Sequence, residues 1–232
     1  MVTLRPVVDV TVRCVTSDQS TGADDLRQRF ARCGTGVVIE PGVHIEHPEL
    51  ISVGDDVRIA TGFYCQGSPR ISLGSRVTMQ PWCFLTGSGS VQVDDDVDFG
   101  PRTFFSTGGE GGVIRVGSHS HCAPGCVLYG GGGLTIGEYC NIAAHVVLAT
   151  VQHDPARHEV PMATAPSQAG PITVERDVWI GANATIMMDT FVAEGCIVGA
   201  NAALTRSTEP YGLYGGVPAR RIRDRQPVDT NR

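Results

Sequence analysis

The chain has 232 residues, among them 29 glycines and 8 cysteines, with only 6 % aromatic and 18 % charged residues. This is the length of one domain, or of one with a small appendage, and 41 % hydrophobic content with no three-residue glycine period excludes both a disordered chain and collagen. No apolar run approaches the ~20 residues of a membrane span, no leader pattern stands at Met1, and a formal charge of −6 gives no general attraction to nucleic acid or anionic lipid.

Residues 1–36 are expected to form an N-terminal cap, with an alternating strand from Val8 to Arg13 and a short helix from Ala23 to Arg32 ended by Gly34. From Ile39 onward an aliphatic residue returns every sixth position: Ile39, Ile45, Ile51; Val53, Ile59, Cys65; Leu73, Met79, Leu85; Val93, Phe99, Phe105. The rhythm continues through Val116, Cys122, Leu128; Ile136, Ile142, Leu148; Val174, Ile180, Ile186; Val192, Val198, Leu204. A helix needs a 3.6 period and a two-faced strand needs longer alternation, so neither accounts for a period of six. Three sixes make one turn of a triangular prism, with a short strand and a corner from each hexapeptide. The residue after the anchor is often Gly or Ala, as at Gly54, Gly74, Gly100, Gly117, Gly137 and Gly181, where the chain bends and corners stack. The fold class is therefore all-β, with about eight coils over residues 37–206. At ~4.8 Å per coil the prism is roughly 40 Å long.

The same phase assigns the cysteines. Cys65 and Cys122 are anchors, and Cys83, Cys126, Cys140 and Cys196 each stand four after an anchor, so six of the eight thiols are expected in the core as small fillers. No CxxC occurs and no disulfide framework is suggested, which points to the cytoplasm.

Between Leu148 and Val174 the rhythm breaks. Residues 151–171 carry Pro155, Pro161, Pro166 and Pro171 and are expected to be a loop extruded from one corner, where binding residues concentrate. From 207 to 232 a C-terminal basic tail follows. Residues 206–225 hold five arginines against Glu209 and Asp224, a local charge of +3 on a chain otherwise at −9, which suits a specific anionic ligand unless the arginines are merely solvated.

The hexapeptide pattern resembles the left-handed parallel β-helix proteins. His153-Asp154-Pro155, then Asp177-Val178-Trp179-Ile180-Gly181-Ala182-Asn183, then Gly215-Gly216-Val217-Pro218-Ala219-Arg220 resemble the sugar O-acetyltransferase branch, which includes galactoside, maltose and streptogramin acetyltransferases. The resemblance implies a homotrimer that moves acetyl from acetyl-CoA to a hydroxyl of a saccharide or glycosylated small molecule. It implies His153 as general base, a task suited to a side chain whose reference pKa lies near neutrality, and the Ala182 amide as oxyanion donor. For the donor it implies Trp179, Ala182, Ala200, Thr205, Arg206, Arg220 and Arg223, with Trp179 either a wall of the site or packing at a subunit seam. No metal is implied. The family's acceptor asparagine has no match, its region reading His119-Ser120-His121-Cys122-Ala123.

Two rival readings use the same prism. A γ-carbonic-anhydrase-like zinc enzyme would take His119, His121 and His145 as ligands, an open three-nitrogen set, although that family's arginine and aspartate signature is not recognisable here. A non-catalytic trimeric scaffold would make His153 dispensable.

Overall fold

The structure is a computed structural model and describes residues 23–154, 156 and 158–225. The expected strand at Val8–Arg13 lies outside the described residues. Three parallel sheets wrap one core as a left-handed β-helix. The first face holds eight strands from Arg32–Cys33 to Thr190–Val192, the second runs from Val38–Ile39 to Ala219–Asp224, and the third holds eight from His44–Ile45 to Ala203–Leu204.

Each sequence anchor pairs with the anchor one coil away. On the first face Val53, Leu73, Val93, Val116, Ile136, Val174 and Val192 form one column. On the third, Cys65, Leu85, Phe105, Leu128, Leu148, Ile186 and Leu204 form another. All are buried. Phe99 and Phe105 pack edge to face in the core, their ring centres 4.9 Å apart. The small residues after anchors are required by the stacking: a Cβ on Gly54 would fall 2.8 Å from the backbone of Gly74, and one on Gly181 would fall 2.5 Å from the Ala200 nitrogen.

The thiols lie where the phase puts them. Cys65, Cys83, Cys122, Cys126, Cys140 and Cys196 are all buried. Burial pushes Cys65 and Cys83 up to about 12, and Cys126 and Cys140 up to about 11.

Three departures from the sequence reading have local causes. The helix spans Ala23–Arg29 rather than reaching Arg32, because the Ala31 amide already donates to the Ile51 carbonyl (2.8 Å) and Arg32–Cys33 pair with Ser52–Val53. Leu26 and Phe30, one helical turn apart, are buried with the core. The extruded segment is an arm: Val151–His153 pairs antiparallel with Ser167–Ala169, and a short 3-10 turn spans Met162–Thr164. The solenoid closes beneath it, since Ile136 still pairs with Val174 and Leu148 with Ile186. Finally, the chain after 207 returns to the second face. Gly212–Gly216 adds a parallel strand in which Tyr214 takes the anchor place beside Val198, and Ala219–Asp224 folds back antiparallel through a cis Val217–Pro218 bond.

Candidate active site

The arm leaves the corner between the third and first faces, and His153 ends its first strand opposite Ser167. The imidazole is exposed, with Nδ1 3.4 Å from the carbonyl oxygen of Ala165. An Nδ1–H donating there leaves Nε2 with its lone pair toward solvent, the tautomer a general base needs. Ala165 is itself buried in the arm, so its carbonyl is a fixed acceptor. This orienting group is invisible in sequence, twelve residues away across an irregular loop. The imidazole borders an open cleft lined also by Ser106, Gly108, Tyr129, Gly131 and Gln152. A Cβ on Gly131 would fall 2.9 Å from Val151, so glycine lets the arm sit close to the prism.

Ala182 lies on a different corner, between the second and third faces, just after the anchor Ile180. Among the described residues its amide donates no hydrogen bond, whereas its carbonyl accepts from Asn201 (2.9 Å). Other coils explain why the fold tolerates this: the same place holds Pro41, Pro81, Pro101 and Pro124, which have no N–H at all. The position makes no demand on the ladder, so a non-proline residue there offers a free amide. Ala200 occupies the equivalent place one coil on, and Trp179, 50 % exposed, stands on the second face beside Ile197 and Asn141. His153 and Ala182 are separated by the third face, so a single chain does not bring them together.

The five arginines divide. Arg221 bonds Asp224 (2.7 Å) and the Tyr214 hydroxyl (3.3 Å). Arg225 pairs with Asp177 (2.8 Å) and donates to the Gly195 carbonyl (3.2 Å), pinning the end of the hairpin to the prism. Arg206, Arg220 and Arg223 are exposed, and among the described residues none pairs with a carboxylate. Arg206 follows Thr205 in the turn after the last strand of the third face; Arg220 and Arg223 are on the hairpin.

Comparison with known proteins fits this geometry. Residues 171–206 match the family described as the hexapeptide repeat of succinyl-transferase. A chloramphenicol acetyltransferase of Agrobacterium fabrum is 31 % identical over 133 residues, 48 % of this chain and 64 % of that protein. The galactoside O-acetyltransferase of Escherichia coli is 28 % identical over 124 residues, 53 % of this chain and 59 % of that protein. Over these stretches the chain is similar to hexapeptide-repeat acetyltransferases. It spans less than two thirds of the length of either relative. Two solved structures share the fold: the polySia-specific acetyltransferase NeuO (TM-score 0.52, 17 % identity, 88 % of this chain and 91 % of that one) and a variant of AntD, an N-acyltransferase from Bacillus cereus (TM-score 0.51, 23 % identity, 89 % and 90 %).

In this hexapeptide-repeat chain the histidines weighed as zinc ligands stand on separate features. His119 is at the corner between the first and second faces, stacked on Tyr139 with centres 4.8 Å apart. His121 is on the second face with Nδ1 3.1 Å from Asp98, and His145 is at the next corner with its ring over Gly125. No group of three metal-binding side chains occurs among the described residues, and no described helix is long and apolar enough to cross a membrane.

Proposed function

We propose that this protein is an acetyl-CoA-dependent O-acetyltransferase acting on a hydroxyl of a saccharide or glycosylated small molecule. The observation that carries the reading is the exposed His153 imidazole, which borders an open cleft with its Nδ1 3.4 Å from the Ala165 carbonyl oxygen. His153 removes the acceptor hydroxyl proton as that oxygen attacks the thioester carbonyl, and the protonated imidazole then returns the proton to the departing thiolate. The Ala182 amide, free of the backbone ladder, stabilises the oxyanion that develops. Arg206, Arg220 and Arg223 hold the phosphates of the donor, and Ala200 and Thr205 let its arm lie close to the last coils. Trp179 walls the donor channel.

Because His153 and Ala182 lie on different corners, the complete site takes one from each of two copies, and the working form is a homotrimer. The buried free thiols fit a reducing compartment, the cytoplasm. Support for acyl transfer rather than metal chemistry comes from the acetyltransferase relatives and from the three unpaired arginines.

The test is thiol release from acetyl-CoA across a panel of sugars, glycosides and amino sugars. Acceptor-dependent release with a hydroxyl compound is expected. Release with amino acceptors alone, or with none, contradicts O-acetylation.

A further inference from the structure

The corner between the second and third faces carries residues that the transfer chemistry leaves unused. Its amides each donate to a carbonyl one coil down: Trp82 to Thr61 (3.0 Å), Arg102 to Pro81 (3.1 Å), Gly125 to Pro101 (2.9 Å), His145 to Pro124 (3.0 Å) and Asn183 to Ala144 (3.0 Å). The residue at this point of every coil has positive φ. Glycine or asparagine meets that demand most easily, and Gly42, Gly62, Gly125, Asn183 and Asn201 do so. Trp82 (φ 65°), Arg102 (φ 61°) and His145 (φ 61°) do not, and of these Trp82 and Arg102 stand on adjacent coils.

The corner between the first and second faces makes the same demand and also uses large residues, but there each has a partner. Arg76 bonds Asp96, and His119 stacks on Tyr139, whose ring also carries the Arg176 guanidinium. Trp82 and Arg102 have nothing equivalent. The indole is 61 % exposed and lies over the backbone of Gly62, where a Cβ would fall 2.3 Å from the ring. The Arg102 guanidinium is exposed and makes no ion pair among the described residues. On two adjacent coils, residues that break the backbone preference gain no side-chain hydrogen bond, ion pair or ring stack among the described residues, which is the pattern expected where a ligand supplies the contact.

We propose that Trp82 and Arg102 form a binding subsite for an anionic saccharide. The indole takes the C–H face of a sugar ring, and the guanidinium takes its carboxylate or phosphate through two parallel hydrogen bonds. The coil spacing of ~4.8 Å sets ring and charge about one sugar apart. Arg102 lies three coils below Ala182 on the same corner, ~14 Å away, so an acceptor held here by its charged end reaches the transfer site with a hydroxyl further along. The saccharide class rests on the O-acetyltransferase reading, whereas the binding event does not require transfer.

Trp82 and Trp179 are the two tryptophans of the chain, so Trp179→Phe leaves Trp82 as sole reporter. Its fluorescence is titrated with N-acetylneuraminic acid, glucuronic acid, glucose 1-phosphate and glucose. Saturable quenching by at least one anionic sugar and none by glucose is expected, and the first two against the third separates carboxylate from phosphate recognition. Adding Arg102→Gln should weaken the binding tenfold or more. Equal response to glucose, binding unchanged by Arg102→Gln, or an indole shielded from acrylamide by a second copy would each overturn the subsite. Thiol release measured on the unsubstituted protein and on Arg102→Gln, both keeping Trp179, reports the transfer reading separately: binding without transfer in the unsubstituted protein sinks that reading alone, and transfer without binding sinks the subsite alone.

Discussion

At the scale of single residues, phase tells which side chains enter the core and which leave it, while the roles proposed at the candidate site come from the resemblance. His153 stands five residues past an anchor, where a side chain leaves the core, and it does project from the prism. The thiols were equally readable, since position relative to an anchor decides inside from outside. Their burial has a measurable consequence. The thiolate is the nucleophile, and Cys65, Cys83, Cys122, Cys126 and Cys140 are all held as thiols by desolvation. A native titration with a disulfide reagent at pH 8 should modify Cys33, partly exposed, while these five react only after denaturation. Prompt modification of the core cysteines would contradict the packing. What sequence could not show is the Ala165 carbonyl at His153, because the fold of a proline-rich arm follows no periodicity.

At the scale of elements, the terminal hairpin separates arginines that look alike in sequence. Arg221 and Arg225 hold the hairpin, the latter through Asp177, 48 residues earlier in the chain. Such pairing depends on hairpin register and was unreadable. Arg220 and Arg223 make no carboxylate pair among the described residues, and the proposed function gives them the donor phosphates. Replacing both with alanine should therefore raise the KM for acetyl-CoA about tenfold or more, at the ~1.5–3 kcal/mol typical of charge-assisted hydrogen bonds, with Tm unchanged. Arg225→Ala should do the reverse, lowering Tm with a smaller change in KM. Steady-state kinetics beside thermal unfolding distinguishes the two; equal effects from both variants would contradict the division. The added strand at Gly212–Gly216 escaped the sequence reading for a related reason. Tyr214, on the second face, stands ten residues after Leu204 rather than the twelve or fourteen of the regular coils, so the period alone ends the prism one strand early.

At the scale of the molecule, surface carboxylates tie neighbouring coils together. A hydrogen bond from Arg76 holds Asp96 below the usual carboxylate range, and the Thr61 amide with Arg58 does the same for Glu40. Groups with lowered folded pKa support the fold above their unfolded values near ~4 and cease to do so as pH falls through the lower folded values. Thermal stability should thus be level between about pH 7 and 5 and decline below about 4. A Tm that rises on acidification would contradict these contacts.

The same scale explains what one chain cannot supply. Hexapeptide phase fixed three columns of anchors, yet it left His153 and Ala182 on separate corners, and only the arm and a second copy complete the proposed chemistry. The most direct test is therefore acceptor-dependent thiol release by His153→Ala, measured beside its affinity for CoA. Turnover should fall by about 10²–10⁴ with CoA binding unchanged. Turnover at the wild-type rate would contradict the role of His153.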